Sequence, residues 1–247
     1  MTELSRPVAA DSPVVSVVIP TLPQTDQTTT VESLTKQTIA DPYELIVVSS
    51  DTLNRSEARN KGLDAAQANV VAFTDDDTVP PCDWVESVSQ AFASTSELIC
   101  VEGPVSGGIS YRGTRFYLSC NLAVDRDAAR AVGGFDSTFA GWREDTEFGW
   151  RMERDGNGDC RYDPTIEMVH PLFGRSSFDP DCERRLRARY PERYRAVHST
   201  FTNICHRLDR PPLSTIESVA TTLGVTDAIH QQLQRLRWGM SQLRDRS

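Results

Sequence analysis

Apolar and polar positions alternate in blocks along the first half of the chain. A β-branched run over 14–19, closed by Pro20, predicts a buried strand. Residues 28–37 follow with helical spacing through Val31 and Leu34, then a strand over 44–48 and a helix over 56–66. A short apolar run over 70–73 ends at Thr74-Asp75-Asp76-Asp77. Strands separated by helices of about ten residues imply βαβ units and a parallel sheet. Beyond Pro80-Pro81 the pattern predicts a helix to about Phe92, a strand over 98–102 and a Gly-rich loop over 106–114. A strand over 117–124, a short helix over 126–132, a turn at Gly133-Gly134 and a helix over 144–154 complete the series. From about Asp181 the chain is helical in pattern and rich in arginine. The expected fold is α/β, a mostly parallel central sheet flanked by helices. A first domain over 1–178 and a helical, basic extension over 179–247 are expected.

Composition narrows the class. Hydrophobic content of 38% with 25% charge is that of a globular chain with a sizeable core. No apolar run approaches the roughly 20 residues of a membrane span. Residues 1–13 lack the apolar core of a secretory signal, so a cytoplasmic location is the expectation. The six cysteines are widely spaced without a C-x-x-C pair, which favours buried free thiols over zinc or a disulfide scaffold. Residues 1–180 carry 14 basic against 28 acidic side chains, whereas residues 181–247 carry 12 against 7. An acidic body argues against nucleic acid as a partner. The basic tail suits an anionic membrane surface or its own acidic body.

Carboxylates at the end of a buried strand are costly together, and a divalent cation relieves their repulsion. The chain has three D-x-D triplets, at Asp75/Asp77, Asp125/Asp127 and Asp179/Asp181. Only the first follows a buried strand in a βαβ run, where α/β sheets bind ligands. The others read as surface turns. Glu144-Asp145 opens a helix, a position the macrodipole favours for acids, and supplies a carboxylate able to take a proton from a hydroxyl. His170, in Met168-Val169-His170-Pro171, is a candidate metal ligand beside a structural alternative.

Taken in order, Val17-Val18-Ile19-Pro20-Thr21, Ala58-Arg59-Asn60-x-Gly62, Asp75-Asp76-Asp77, Cys120-Asn121-Leu122-Ala123, Gly133-Gly134-Phe135-Asp136 and Glu144-Asp145 resemble the family 2 glycosyltransferases of GT-A fold. The resemblance spans residues 16–171. It implies inverting transfer from a nucleoside-diphosphate sugar, with a UDP-sugar expected, to a glycan or lipid-linked acceptor. It further implies Mn²⁺ or Mg²⁺ as cofactor, held by Asp77 and completed by His170. Donor contacts would come from Pro20, Thr21, Asp51, Arg59, Asn60, Asp75 and Asp76. Asp145 would be the general base with Glu144 positioning it, and Trp142 and Gly134 would meet the acceptor. One departure stands out: after the second strand the family has an Asp-Asp pair, and here Ser49-Ser50-Asp51 occupies that place.

Near the C-terminus, Gln234-Arg235-Leu236-Arg237-Trp238 matches the Q-x-x-R-W pattern of processive polysaccharide synthases, in which it lies beside membrane helices. Ile229, Leu233, Leu236, Met240 and Leu243 instead make an amphipathic seam, suited to docking, homodimerisation or peripheral membrane contact. Two rival functions remain. Asp75-x-Asp77-x-Val79 also fits the haloacid-dehalogenase phosphotransferase loop, but both lysines, Lys36 and Lys61, precede it. The other rival is a nucleotide-sugar-binding partner without turnover.

Overall fold

The computed structural model describes residues 1–107, 111, 113, 115–171 and 178–197. It opens on a strand that polarity hid from sequence reading, β1 (Thr2–Val8), whose side chains alternate between half-buried and exposed. β1 runs antiparallel along the edge of β3. The Arg6 guanidinium fastens it by donating to Glu44 at 2.5 Å and to the Ala65 carbonyl at 2.8 Å. Glu44 is fully buried yet satisfied, since the Ser16 hydroxyl (2.6 Å) and the Gln67 amide (2.7 Å) also donate to it.

The core strand is β2 (Val15–Thr21), buried at every position. It is followed by α1 (Thr28–Thr35), β3 (Tyr43–Ser50), α2 (Arg55–Ala65) and β4 (Val70–Phe73). β2 pairs in parallel with β3 on one side and β4 on the other. This is the expected βαβ arrangement, and it brings the ends of β2, β3 and β4 to one edge. A capping box fixes the start of α2: the Glu57 amide donates to Asn54 and the Asn54 amide to Glu57. α3 (Trp84–Ala93) then leads to β5 (Leu98–Glu102), a buried strand that ends on a carboxylate.

The second half departs from simple alternation. The short β6 (Val105–Gly107) leaves the main sheet, and β7 (Leu122–Asp125) inserts antiparallel between β4 and β5. The strand expected from Tyr117 begins only at Leu122. Arg115 and Tyr117 have φ of 60° and 54°, and Ser119–Asn121 form a 3-10 turn. α4 (Arg126–Ala131), α5 (Glu144–Asp155), β8 (Asp159–Tyr162) and β9 (Met168–His170) follow. The seven-stranded sheet has the order β1-β3-β2-β4-β7-β5-β8, and β6 and β9 form a separate parallel pair.

The two D-x-D triplets read as turns are helix caps. Asp125 accepts from the Ala128 amide at the start of α4. Asp179 accepts from the Asp181 and Cys182 amides at the start of α6 (Pro180–Arg189). Burial of the cysteines holds for Cys100, Cys120 and Cys182, but Cys82 is exposed and Cys160 half-buried. The chain divides into two units, Met1–Phe173 and Gly174–Ser247. The Q-x-x-R-W segment and the seam over 229–243 lie outside the described residues. No helix among the described residues is long and apolar enough to cross a membrane.

α2 lies close on the sheet because Gly62 has no side chain: a Cβ there would stand 2.2 Å from Val18 Cγ1. Gly62→Ala is expected to lower stability. Overpacking of about 1–3 kcal/mol outweighs a helix-propensity gain of about 1 kcal/mol. Urea unfolding measures the difference.

Candidate active site

Where β4 ends, the chain turns through Thr74–Thr78. Thr74 and Thr78 are buried, their hydroxyls 2.8 Å apart, and Thr78 donates back to the Asp75 carbonyl at 2.9 Å. Thr30 of α1 donates to the carbonyls of Asp76 (3.0 Å) and Thr78 (2.6 Å). The turn is thus fixed from both sides, and Asp76 points away from Asp75 and Asp77. Asp76 turns towards the end of β2, where the Thr21 hydroxyl donates to it at 2.6 Å. Burial, with Asp75 and Asp77 as neighbours, raises its pKa against that hydrogen bond.

Asp75 and Asp77 face His170. An isolated bridge between Val79 and Val169, with the Val79 amide donating to the Val169 carbonyl at 2.7 Å, brings β9 against the aspartate turn. Ligand atoms of Asp75, Asp77 and His170 all lie within 4.8 Å of one another. His170 is 5% exposed; its Nε2 is 3.4 Å from Asp77 Oδ1, and its Nδ1 has no hydrogen-bond partner. Two carboxylates and a buried imidazole with an orphaned nitrogen form a donor set that suits Mn²⁺.

The second acidic pair arrives on α5. Arg143, in the left-handed region at φ 67°, turns the chain into that helix without a side-chain cap. Glu144, Asp145 and Glu147 lie in its first turn, where the helix dipole favours acids. Asp145 accepts from the amides of Thr146 (2.7 Å) and Ser119 (3.3 Å), and is partly open to solvent. Burial first and then the Glu144 carboxylate push its pKa above the ordinary range, against the pull of Arg59 and the two amides.

Arg59 joins the two acidic groups. Its guanidinium donates to Asp75 Oδ1 at 3.0 Å and to Glu144 Oε1 at 3.2 Å while only 2% exposed. Its neighbour Asn60 holds the Gly133-Gly134 turn, donating to the Phe135 carbonyl (2.8 Å) and accepting from the Phe135 amide (2.7 Å). Gly134 is buried at φ 66°, and a Cβ there would meet Asn60 Oδ1 at 2.5 Å. Trp142 is 7% exposed and carries the Arg143 guanidinium 5.1 Å from its ring centroid. Both residues named for the acceptor are therefore packed, Gly134 beneath α2 and Trp142 under Arg143. Pro20 and Thr21 end β2 beside the aspartate turn, and Asp51 is exposed beyond β3. Ser50 faces inward, accepting from the Thr52 and Leu53 amides.

Sequence reading missed a second clamp. Glu102, 1% exposed, accepts from the Tyr111 hydroxyl (2.5 Å), the Tyr117 amide (2.9 Å) and the Arg115 amide (3.2 Å). Glu153 of α5 accepts from the Tyr117 hydroxyl (2.5 Å) and Arg115 (2.6 Å). Thr146 and Trp150 donate to the carbonyls of Phe116 and Arg115. Together they wind residues 115–117 against α5 and deliver the Ser119 amide to Asp145. The available signal was a carboxylate ending a buried strand, as Asp75 follows β4. Lys36 pairs with Glu32 on the surface of α1 and Lys61 is exposed, which leaves the phosphotransferase reading without its lysine.

Residues 50–144 match the glycosyl transferase family 2 model, a span that contains the aspartate turn and ends at Glu144. No curated protein sequence matches the chain. A mannosyltransferase from Pyrobaculum calidifontis, solved with GDP-Man and Mn²⁺, has 13% identity and a TM-score of 0.51, with 94% of this chain and 87% of that one covered. S. aureus TarS (1–349) has 13% identity and a TM-score of 0.52, with 85% and 79% covered. The catalytic domain of Drosophila β1,4-galactosyltransferase 7, solved with xylobiose, has 16% identity and a TM-score of 0.51, with 70% and 79% covered. At these identities the structures establish a shared GT-A fold. Residues 50–144 are thus similar to glycosyl transferase family 2, within a chain that shares the GT-A fold.

A carboxylate whose pKa rises on folding subtracts stability where it is ionised. The loss therefore grows as pH rises from the ordinary carboxylate range through the raised value. Asp145→Asn is expected to be more stable than the parent by about 1 kcal/mol at about pH 8, with a smaller gap at about pH 5. Thermal melts of both proteins at the two pH values measure it.

Proposed function

We propose that the chain is an inverting, metal-dependent glycosyltransferase that moves a sugar from a nucleoside-diphosphate sugar to an acceptor hydroxyl. The observation that carries the reading is the meeting of Asp75, Asp77 and His170, with Arg59 bridging Asp75 to Glu144, the residue beside Asp145. The Pyrobaculum neighbour was solved with a nucleotide sugar and Mn²⁺, and the Drosophila neighbour with a disaccharide, which agrees with such a donor and a glycan acceptor. A UDP-sugar is the donor proposed.

Asp75, Asp77 and His170 would hold the divalent cation, with Arg59 engaging one oxygen of Asp75 and leaving the other free. When bound, the cation offsets the negative charge that grows on the departing diphosphate. Asp76 and Thr21, linked at 2.6 Å beside the end of β2, present polar groups to the nucleoside. Asp145 takes the proton of the acceptor hydroxyl as that oxygen bonds to the anomeric carbon. The bond from the anomeric carbon to the diphosphate breaks on the opposite face, its electron pair leaves with the diphosphate, and configuration inverts. The raised pKa of Asp145 suits it to this role, because a base near working pH both accepts and releases a proton readily. Its amide partners on Thr146 and Ser119 fix the carboxylate without capping both oxygens fully.

Calorimetric titration of UDP, GDP, CDP and dTDP, each with and without Mn²⁺, tests the donor half. One diphosphate is expected to bind only with metal, and Asp77→Ala is expected to abolish that binding. If none binds, the aspartate turn is no donor site. Asp145→Asn is expected to keep diphosphate affinity and lose about 10²–10⁴-fold in transfer. A fully active Asp145→Asn enzyme would remove the base assignment. Because the base must be ionised, activity is expected to fall on acidification at a pH above the ordinary aspartate value of 3.8.

A further inference from the structure

Arg59 is placed unlike a ligand-binding arginine. It leaves α2 from a buried position, packs its guanidinium carbon 5.5 Å from the Phe135 ring centroid, and is 2% exposed. Its two terminal nitrogens are engaged by protein carboxylates, Asp75 and Glu144. Its Nε is buried with no hydrogen-bond partner. An unsatisfied buried donor costs roughly 1–3 kcal/mol, so the geometry keeps the two bridges at the expense of the third nitrogen. At 2% exposure, with both terminal nitrogens bridged to carboxylates, the guanidinium presents almost no surface to a nucleotide.

The two bridges connect separate parts of the proposed chemistry. Asp75 belongs to the turn after β4 that faces His170, and Glu144 is the first residue of α5, adjacent to Asp145. Asn60, the next residue of α2, locks the Gly134-Phe135 turn, and Phe135 stacks on Phe148 of α5 with ring centroids 4.2 Å apart. The Arg59-Asn60 dipeptide therefore grips α5 twice, once by charge at its first turn and once through the aromatic stack one turn on. We propose that Arg59 is a positioning residue that sets the Asp145 carboxylate against the donor-holding turn by bridging Asp75 and Glu144, and that it does not itself bind the nucleotide. This rests on the reading of Asp145 as base and of the aspartate turn as the donor site.

The charged and titratable groups facing Asp145 are Glu144 on its own helix, Arg59 from α2 and the Cys120 thiol from the turn before β7. Cys120 also faces Asp75 and Asp77. Arg59 is the cation in this set. Its removal should therefore make Asp145 harder to ionise, whereas loss of a nucleotide ligand would leave that ionisation alone. Lysine keeps the charge but offers one compact ammonium, unable to span both carboxylates as the planar guanidinium does.

The test compares wild type, Arg59→Gln, Arg59→Lys, Glu144→Gln and Asp145→Asn. Two readouts are used: Mn²⁺-dependent affinity for the nucleoside diphosphate that wild type binds, and pH-dependent release of that diphosphate from the matching nucleotide sugar. Arg59→Gln is expected to keep diphosphate affinity within about threefold, to lose about 100-fold in turnover, and to move the acid limb up by about one pH unit. Arg59→Lys is expected to return the limb towards wild type with partial recovery of turnover. If diphosphate affinity collapses while the limb stays in place, Arg59 is a nucleotide ligand and the proposal is wrong; unchanged turnover overturns it equally. Should Arg59→Gln fail to fold, Glu144→Gln carries the test. It preserves an acceptor for Arg59 and removes a like charge, so the limb is expected to move down at unchanged affinity, and an unmoved limb overturns the proposal. An active Asp145→Asn enzyme, or a wild type that binds no diphosphate, marks instead the failure of the functional reading on which the proposal rests.

Discussion

The buried guanidinium of Arg59 is the interaction on which the rest of this site depends. Asp75, Asp76, Asp77, Glu144 and Asp145 gather at one edge of the sheet, and carboxylates brought that close resist ionising together. A protein can answer by neutralising acids, by admitting metal or by inserting its own cation. Here Arg59 bridges two of the carboxylates from inside, while Asp75, Asp77 and His170 leave a mouth suited to a metal. Burying an arginine is expensive, and a planar fork between two acids is the geometry that offsets the expense. The same fork makes the orientation of α5 depend on the aspartate turn.

Buried carboxylates in this fold sort by how completely they are satisfied. Glu44 receives Arg6, Ser16 and the Gln67 amide, and ties the edge strand and α2 to the end of the sheet away from the site. Glu102 receives two amides and a tyrosine hydroxyl, and holds the wound segment before β7. Both read as structural because their acceptor capacity is used within the fold. Asp145, held by two amides and beset by Glu144, and His170, with an unpaired nitrogen, retain capacity for something further. Incomplete satisfaction inside a well-packed fold is the physical mark of a site that takes a ligand or a proton.

Much of the scaffold was legible along the chain. The β-branched β2, the apolar β4, the helices between them and the strand 98–102 follow from periodicity, because residues near in sequence decide it. β1 escaped because five of its seven residues, Thr2, Glu3, Ser5, Arg6 and Pro7, carry no apolar signal, and its stability comes from an edge ladder to β3. The strand expected at 117 failed because Glu102 and α5, both distant in sequence, hold Arg115 and Tyr117 at positive φ.

By itself the sequence determined the class of fold, the family resemblance and the acidic clusters, since buried strands and the carboxylates that follow them are local patterns. Asn54 with Glu57, Asp125 and Asp179 likewise cap their helices with partners a few residues away. Tertiary structure alone decided which acids meet. The Val79–Val169 bridge carries His170 to Asp77, the clamp of Glu102 and Glu153 carries the Ser119 amide to Asp145, and one arginine joins the two halves. Those pairings depend on the packing of elements far apart in the chain, and hydrophobic periodicity encodes which face of an element is buried, not which residue it will face.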